Sequence, residues 1–165
     1  MPLPWHHRGD RVVASTPPDC ERIVAPTIGN IVFYADDPDR LSRFWAGVFG
    51  YPHITWDGSL KQAMLDAGLS EEELSHRGLA EDPQHNGPRF FFHHADGPKQ
   101  GRNRMHIDVQ TVADRRPSRD ELDAEKDRLV ALGAQAVRLV DQPWGAMHEC
   151  YYQMLDPEGN EFCLQ

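Results

Sequence analysis

The residues best suited to chemistry lie on the polar faces of predicted strands. Successive side chains of a strand point to opposite faces, so every second residue shares a face. His106 and Asp108 alternate with apolar residues in one predicted strand, and Glu161 and Cys163 share a face of another. Imidazole, carboxylate and thiol groups can ligate first-row metal ions, and each can also hydrogen bond to an organic ligand. The pattern therefore predicts a polar cleft and leaves both uses open.

Two more predicted strands add candidates to this cleft. Phe91 and His93 share one face of a strand whose other face carries Phe90 and Phe92. Asn30 begins the first predicted strand and has the polar orientation there. We expect these faces to line the cleft, because the alternate apolar residues should pack beneath helices.

Two tryptophans outside the predicted helices are further candidates. Trp56 ends a predicted strand, and Trp144 lies in a Pro-Trp-Gly turn. An aromatic side chain in such a position can stack on a flat ligand or can cap the packing of the core. Both roles are open for each of these two residues.

The elements that position these residues begin near residue 28. Asp37 before Pro38 is a helix start signal, and Gly50 is a helix end signal. Ser70 and Glu73 form the pattern of a capping box. The predicted elements of the first half are a strand over 30–35, a helix over 38–49, a strand over 53–56, a helical insertion over 61–80 and a strand over 89–94. Because the insertion interrupts the cleft strands, we expect it to act as a lid.

The second half repeats the order of strand, helix and further strands. Ser118 and Glu121 form a second capping box, and Gly133 follows the helix. The predicted strands of this half span 104–111, 136–140, 147–155 and 160–165. Both halves together predict an α+β fold.

Length and charge exclude several classes of protein. The chain has 165 residues, the size of one domain, and a net charge of −9. This charge argues against nucleic acid or an anionic membrane surface as the partner. Three cysteines cannot all pair, so we expect a reduced, cytoplasmic protein. Residues 1–27 hold five of the 13 prolines, which predicts an irregular N-terminal arm.

Several motifs in order carry a family resemblance. Residues 103–109 read Asn-Arg-Met-His-Ile-Asp-Val, and residues 155–164 read Leu-Asp-Pro-Glu-Gly-Asn-Glu-Phe-Cys-Leu. Earlier pieces are Asp37-Pro38 with Phe44-Trp45, and Gly87-Pro88-Arg89 before three phenylalanines. Over residues 28–165 the chain resembles the vicinal oxygen chelate superfamily of glyoxalase I, extradiol dioxygenases and bleomycin-resistance proteins, and more closely its glyoxalase-like domain family.

The resemblance implies paired βαβββ modules, here 28–100 and 101–165, that form a half-open barrel around a cleft. In metal-using members a divalent ion binds to the first and last strands of each module. These positions fall on Asn30, on Phe91 or His93, on His106 and on Cys163. Only His106 has the usual residue type. The metal set that this partial match implies is His93, His106 and Glu161, with Glu161 also the candidate catalytic base.

Two function hypotheses follow from this partial match. In the first, the chain encloses an aromatic or hydrophobic compound without a cofactor, and Asn30, Trp56, Phe91, His106, Trp144 and Cys163 contact it. In the second, one divalent ion (Zn, Fe, Mn or Ni) assists an isomerase, lyase or dioxygenase acting on a substrate with adjacent oxygens. Either protein is expected to be a homodimer, because open barrels leave edge strands that need cover.

Overall fold

The computed structural model describes residues 28–165, so the predicted arm over 1–27 lies outside the described residues. The strands are β1 (Asn30–Ala35), β2 (Arg77–Ala80), β3 (Arg89–His94), β4 (Ile107–Val109), β5 (Gln135–Trp144), β6 (Met147–Leu155) and β7 (Glu161–Leu164). The helices are α1 (Pro38–Phe49), α2 (Gly58–Asp66), α3 (Glu71–Ser75) and α4 (Arg119–Ala131). The fold is α+β, as predicted.

Helix α1 has the predicted start and end. The Asp37 carboxylate accepts a hydrogen bond from the Arg40 amide at 2.9 Å, and Gly50 ends the helix with φ of 69°. A positive φ of this kind carries little steric cost only for glycine. The buried side of the helix includes Leu41, Phe44 and Trp45, which are at most 2% exposed.

Sheet one has the strand order β1-β3-β2, with β1 parallel to β3. The predicted strand over 53–56 is wrong, because only His53 makes a bridge, to Ala80. The predicted helical insertion over 61–80 is also too long. Its last residues form β2, because residues 77–80 pair with 90–93 of β3. Module one therefore has three strands and one isolated bridge.

Sheet two has the strand order β4-β7-β6-β5, and β4 is parallel to β7. Together with α4 it forms a complete βαβββ unit. The predicted strand over 104–111 is shortened to three residues, because pairing with β7 begins only at Ile107 with Phe162. Before that point the Asn103 amide bonds to the Glu161 side chain at 3.0 Å. His106 consequently precedes the strand.

The two halves share one core around α1. The Phe162 ring of sheet two lies 5.4 Å from the Trp45 ring and 6.1 Å from the Phe44 ring. The buried Asp156 carboxylate accepts a hydrogen bond from Trp45 Nε1 at 3.2 Å. The most specific sequence motif, residues 156–160, is thus a packing feature as well as a turn.

The second half also holds both ends of α1. At the N-terminus, the Glu158 carboxylate accepts hydrogen bonds from the amides of Asp36 and Asp37 at 3.1 and 3.2 Å. At the C-terminus, the Arg128 guanidinium donates to the carbonyls of Gly47 and Val48 at 2.8 and 3.0 Å. An anion at the start and a cation at the end both suit the helix dipole.

The two sheets do not close into a barrel over residues 28–165. Across that same range no helix is both long enough and apolar enough to cross a membrane.

Candidate functional site

A cavity of about 330 Å³ lies between the edges of the two sheets; we call it the inter-sheet cleft. Phe33 of β1, Trp45 of α1 and Phe162 of β7 form its aromatic floor. The Phe33 and Trp45 rings are 5.4 Å apart, as are the Trp45 and Phe162 rings. Tyr34 and Met105, both exposed, extend this apolar surface toward the opening.

Charged side chains line the rim of the inter-sheet cleft. Lys99 Nζ lies 3.2 Å from a Glu161 oxygen that also accepts the Asn103 amide hydrogen bond. Desolvation alone would raise the pKa of Glu161, but these hydrogen bonds and the Lys99 charge lower it below its usual value. Glu161 is therefore a paired carboxylate that fastens the 97–106 loop, rather than a free base.

A second cavity, of about 310 Å³, lies against sheet two; we call it the sheet-two cavity. Arg102 and His106 line it from the loop, and Arg138 and Gln153 line it from β5 and β6. Arg138 Nε donates to the Gln153 side-chain oxygen at 2.8 Å. Glu161 and Phe162 border both cavities, so the two spaces share one wall.

One group of metal-ligating side chains converges within the described residues. The ligand atoms of His106, Asp108 and Cys163 all lie within 4.8 Å of one another. Asp108 and Cys163 are register partners in the parallel β4–β7 pair, and His106 Nε2 lies 3.2 Å from an Asp108 oxygen. Burial and the Asp108 charge raise the pKa of the Cys163 thiol to about 11, while Arg102 opposes the rise. The uncomplexed thiol is therefore protonated at neutral pH.

The predicted metal set of His93, His106 and Glu161 does not converge in the part of the chain that the structure describes. His93 belongs to sheet one, where its ring stacks at 5.7 Å on Tyr34. Burial, with a smaller contribution from the Arg77 charge, lowers the pKa of His93 below its usual value. Glu161 pairs with Lys99 instead. The three side chains stay apart because the set combined strands from two sheets whose relative position the alternation does not fix.

Of the six residues predicted to contact a ligand, two lie at or beside the sheet-two cavity and four line neither cavity. His106 lines the sheet-two cavity and Cys163 lies beside it in the metal-ligating group. Asn30, Trp56, Phe91 and Trp144 line neither cavity.

Each of these four residues has another environment. Asn30 accepts a hydrogen bond from Arg89, and Trp56 donates one to the Arg77 carbonyl at 2.8 Å. Phe91 packs on His93, and Trp144 is 45% exposed at the end of β5. Trp56 therefore has the packing role, which was one of the two roles that its position in the sequence left open. No residue of 58–80 lines either cavity, so these linings do not support the expected lid, which stays a prediction.

The predicted metal set and ligand contacts omit three site residues, although the sequence places Asp108 on the polar strand face. Asp108 completes the ligand group, and its signal was present because it shares the strand face of His106. Arg102 and Arg138 line the sheet-two cavity. Nothing in the sequence distinguishes these two arginines from the other arginines of the chain, because their placement depends on how the loop meets β5.

The comparisons with known proteins agree on the fold. A protein of the glyoxalase/bleomycin resistance/dioxygenase family from Burkholderia phytofirmans matches with a TM-score of 0.53 and 15% identity, over 84% of this chain and 97% of its own. A glyoxalase/bleomycin resistance protein/dioxygenase from Nocardioides matches with a TM-score of 0.54 and 17% identity, over 86% and 83% of the two chains.

A fosfomycin resistance protein from Listeria monocytogenes, solved with Mn(II) and 1S,2S-dihydroxypropylphosphonic acid, matches with a TM-score of 0.53. It is 14% identical, and the match covers 87% of this chain and 90% of that one. The neighbours thus include a metal-containing protein. No curated protein matches the sequence. The family model described as the glyoxalase-like domain matches residues 30–165, and the chain therefore belongs to the glyoxalase-like domain family.

Proposed function

We propose that the protein binds a small organic molecule with an aromatic or other apolar body in the inter-sheet cleft. The observation that carries this proposal is the aromatic floor of Phe33, Trp45 and Phe162 beneath a rim of charged groups. A volume of about 330 Å³ falls in the range of small-molecule sites, which are mostly apolar with a few polar groups. The accessible apolar lining, Val32, Tyr34 and Met105 around the half-buried Phe33, supplies the binding energy, while the buried Trp45 and Phe162 rings support it and the rim orients the ligand.

The test is a screen of neutral aromatic compounds, such as phenol and indole, by thermal shift and NMR, because binding to the native state raises apparent stability. A binder should lose affinity in Val32→Trp, since Val32 lines the cleft and is 44% exposed. Val130→Trp is the matched control: Val130 is 43% exposed on α4 and lines neither cavity. Equal affinities in both variants, or no binder at all, would contradict the proposal.

A second candidate function is metal-assisted catalysis as an isomerase, lyase or dioxygenase, and the His106, Asp108 and Cys163 group favours it. One imidazole, one carboxylate and one thiolate are a suitable donor set for Zn²⁺ and other first-row ions. His106 and Cys163 stand at two of the four positions that the superfamily uses, but Asp108 does not, and all three residues come from module two. A bound ion would act as a Lewis acid toward substrate oxygens. The chain itself would contribute the three ligands, with Arg102 and Arg138 beside them.

Metal binding can be measured without any assay of activity. Elemental analysis of protein purified without a chelating tag should find a stoichiometric ion if this second function holds. Cobalt(II) should give a thiolate charge-transfer band that Cys163→Ser abolishes and Cys150→Ser preserves, since Cys150 lies outside the group. Protein without an ion, and without that band, supports cleft binding as the sole function.

The described cysteines also bear on the proposed location. Cys150 and Cys163 are both free thiols. Free thiols are typical of a reducing compartment, which supports our proposal that the protein is cytoplasmic.

A further inference from the structure

The loop that separates the two cavities is strongly basic. Residues 97–106 contain Lys99, Arg102, Arg104 and His106 but no acidic residue, in a chain of net charge −9. All four of these side chains line a cavity: Lys99 and Arg104 the inter-sheet cleft, Arg102 and His106 the sheet-two cavity. Positive charge is therefore concentrated in this loop, although Asp36, Glu158 and Glu161 also line the inter-sheet cleft.

Neither arginine of the sheet-two cavity has a carboxylate partner within the described part of the chain. Arg43, Arg115 and Arg119 each pair with a carboxylate, at 2.6 to 2.9 Å. Within residues 28–165, Arg102 has no side-chain hydrogen bond or ion pair, and Arg138 bonds only to the neutral Gln153. These two guanidinium groups keep donors available for a ligand.

The acidic groups near the sheet-two cavity are already engaged. Glu161, the only carboxylate in its described lining, pairs with Lys99 at 3.2 Å and accepts the Asn103 amide. Asp108, which lies next to the cavity, is 3.2 Å from the His106 ring. Asp108, Cys163 and Gln153 form one row across β4, β7 and β6, and Gln153 lines the cavity together with Arg102. The cavity thus carries an excess of positive charge.

We propose that the sheet-two cavity is an oxyanion site, in which Arg102 and Arg138 bind a carboxylate or phosphate group beside His106. Guanidinium groups recognise both anions through paired, charge-assisted hydrogen bonds. This site goes beyond the proposed function, because it is a second cavity that takes an anionic group. It does not depend on that function, because a free anion should bind here even if no aromatic compound binds the inter-sheet cleft.

The experiment titrates the full chain, in the presence of EDTA, with inorganic phosphate in one arm and acetate in the other. The arginine Nε–Hε signals of Arg102 and Arg138 are followed by NMR. We expect saturable shifts, and affinity at least tenfold weaker in Arg102→Gln and in Arg138→Gln, the loss expected for a charge-assisted contact. Arg43→Gln is the matched control, because it removes the same charge from a surface ion pair.

The outcomes separate the sources of binding. Saturation by phosphate alone assigns the site to phosphorylated or phosphonate ligands, and saturation by acetate assigns it to carboxylates. No saturable shift with either anion, equal affinities in all three variants, or binding that needs an added divalent ion would overturn the proposal. Neutral aromatic compounds test the inter-sheet cleft separately, so failure there leaves this result interpretable.

Discussion

His106 and Phe162 lie close together in the chain's fold but have opposite roles. Phe162 is 1% exposed and contacts Trp45 and Phe44, so its ring is part of the shared core. The His106 side chain is 43% exposed, and its one ion-pair partner in the described part of the chain is Asp108. The first residue should govern stability, and the second should govern binding in the sheet-two cavity.

Phe162→Ala should lower the free energy of unfolding by about 3–5 kcal/mol, the usual cost of removing a buried phenylalanine ring. His106→Ala should change it by less than about 0.5 kcal/mol, as expected at a surface position. His106→Ala should also weaken anion binding by at least about 1 kcal/mol, the scale of one hydrogen bond. Urea denaturation and phosphate titration measure the two effects. Loss of folding in His106→Ala would show that the cavity assignment is wrong.

For single residues, the sequence predicted which strand face a side chain occupies better than it predicted which side chains meet in the folded structure. Alternation correctly assigned Phe90, Phe92 and Phe162 to the core, but Cys163, which it placed on the polar face, is also buried. It could not place His93 relative to His106, because those residues belong to different sheets and their distance depends on tertiary packing. Asp108 and Cys163 converge because β4 and β7 pair in parallel, a register that neither strand reveals alone.

Among the elements, α4 is the one most clearly fixed by local signals. The Ser118 hydroxyl accepts the Glu121 amide at 3.2 Å, and the Glu121 carboxylate accepts the Ser118 amide at 2.8 Å. Arg115 adds two hydrogen bonds to the same carboxylate, at 2.6 and 2.8 Å. The Arg115 hydrogen bonds, followed by those of Ser118, lower the pKa of Glu121 to about 2.

This lowered pKa predicts a pH dependence of stability. A carboxyl with a lower pKa in the folded state stabilises the protein above its unfolded pKa, and that contribution is lost as the pH falls through the folded value. Glu121→Gln should therefore be less stable than the wild type at pH 7, and the difference should shrink between about pH 4.5 and pH 2. Asp120→Asn, in the same helical turn, is the control. Thermal melts that show a constant difference across this range would contradict the assignment.

The contact between α1 and β2 depends on a glycine. A Cβ atom on Gly78 would lie 2.3 Å from the Pro38 carbonyl oxygen and 2.9 Å from Ser42 Cβ. Because the obstacle is backbone, Gly78→Ala should cost about 1–3 kcal/mol of stability by forcing α1 away from the sheet. Gly29→Ala, which meets nothing within 4 Å, should be neutral in the same denaturation experiment. Equal stability of both variants would refute the close approach.

Element prediction succeeded where local chemistry decides the outcome. Capping boxes, Pro38 and Gly50 located α1, α3 and α4 because those signals act within a few residues. The errors at 53–56, 77–80 and 104–106 all concern strands. A strand exists only where a partner provides hydrogen bonds, and the partners here are β2 for His53, β3 for residues 77–80 and β7 for β4, none of which is revealed by the strand's own residues.

For the whole molecule, the dependence of α1 on the second half predicts that the first half cannot fold alone. A fragment spanning 28–100 would lack Phe162, Asp156, Glu158 and Arg128, and so would expose the Trp45 surface. We expect it to be unfolded or aggregated, by circular dichroism and size-exclusion chromatography. A soluble fragment with a cooperative melt would show that module one is independent.

The edge strand of sheet two predicts that the protein forms a dimer. β5 is a ten-residue edge strand that exposes Val137 by 53% and Trp144 by 45%. Uncovered edges of this kind tend to pair with other chains, and symmetric dimers are the commonest stable solution. Analytical ultracentrifugation at micromolar concentration should therefore show a dimer. A single monomeric species at every concentration would contradict this expectation.

The contacts that the second half makes with α1 also set the order in which a growing chain can finish folding. Trp45 and its hydrogen-bond partner Asp156 are 111 residues apart. At a synthesis rate of about 5–20 residues per second, roughly 6–22 s pass between the addition of these two residues. During that interval the apolar side of α1 has no cover from β7. Helix α1 is synthesised early, but the side of it that packs on β7 is buried only after β7 has been synthesised. That apolar side is therefore available to chaperones throughout most of translation.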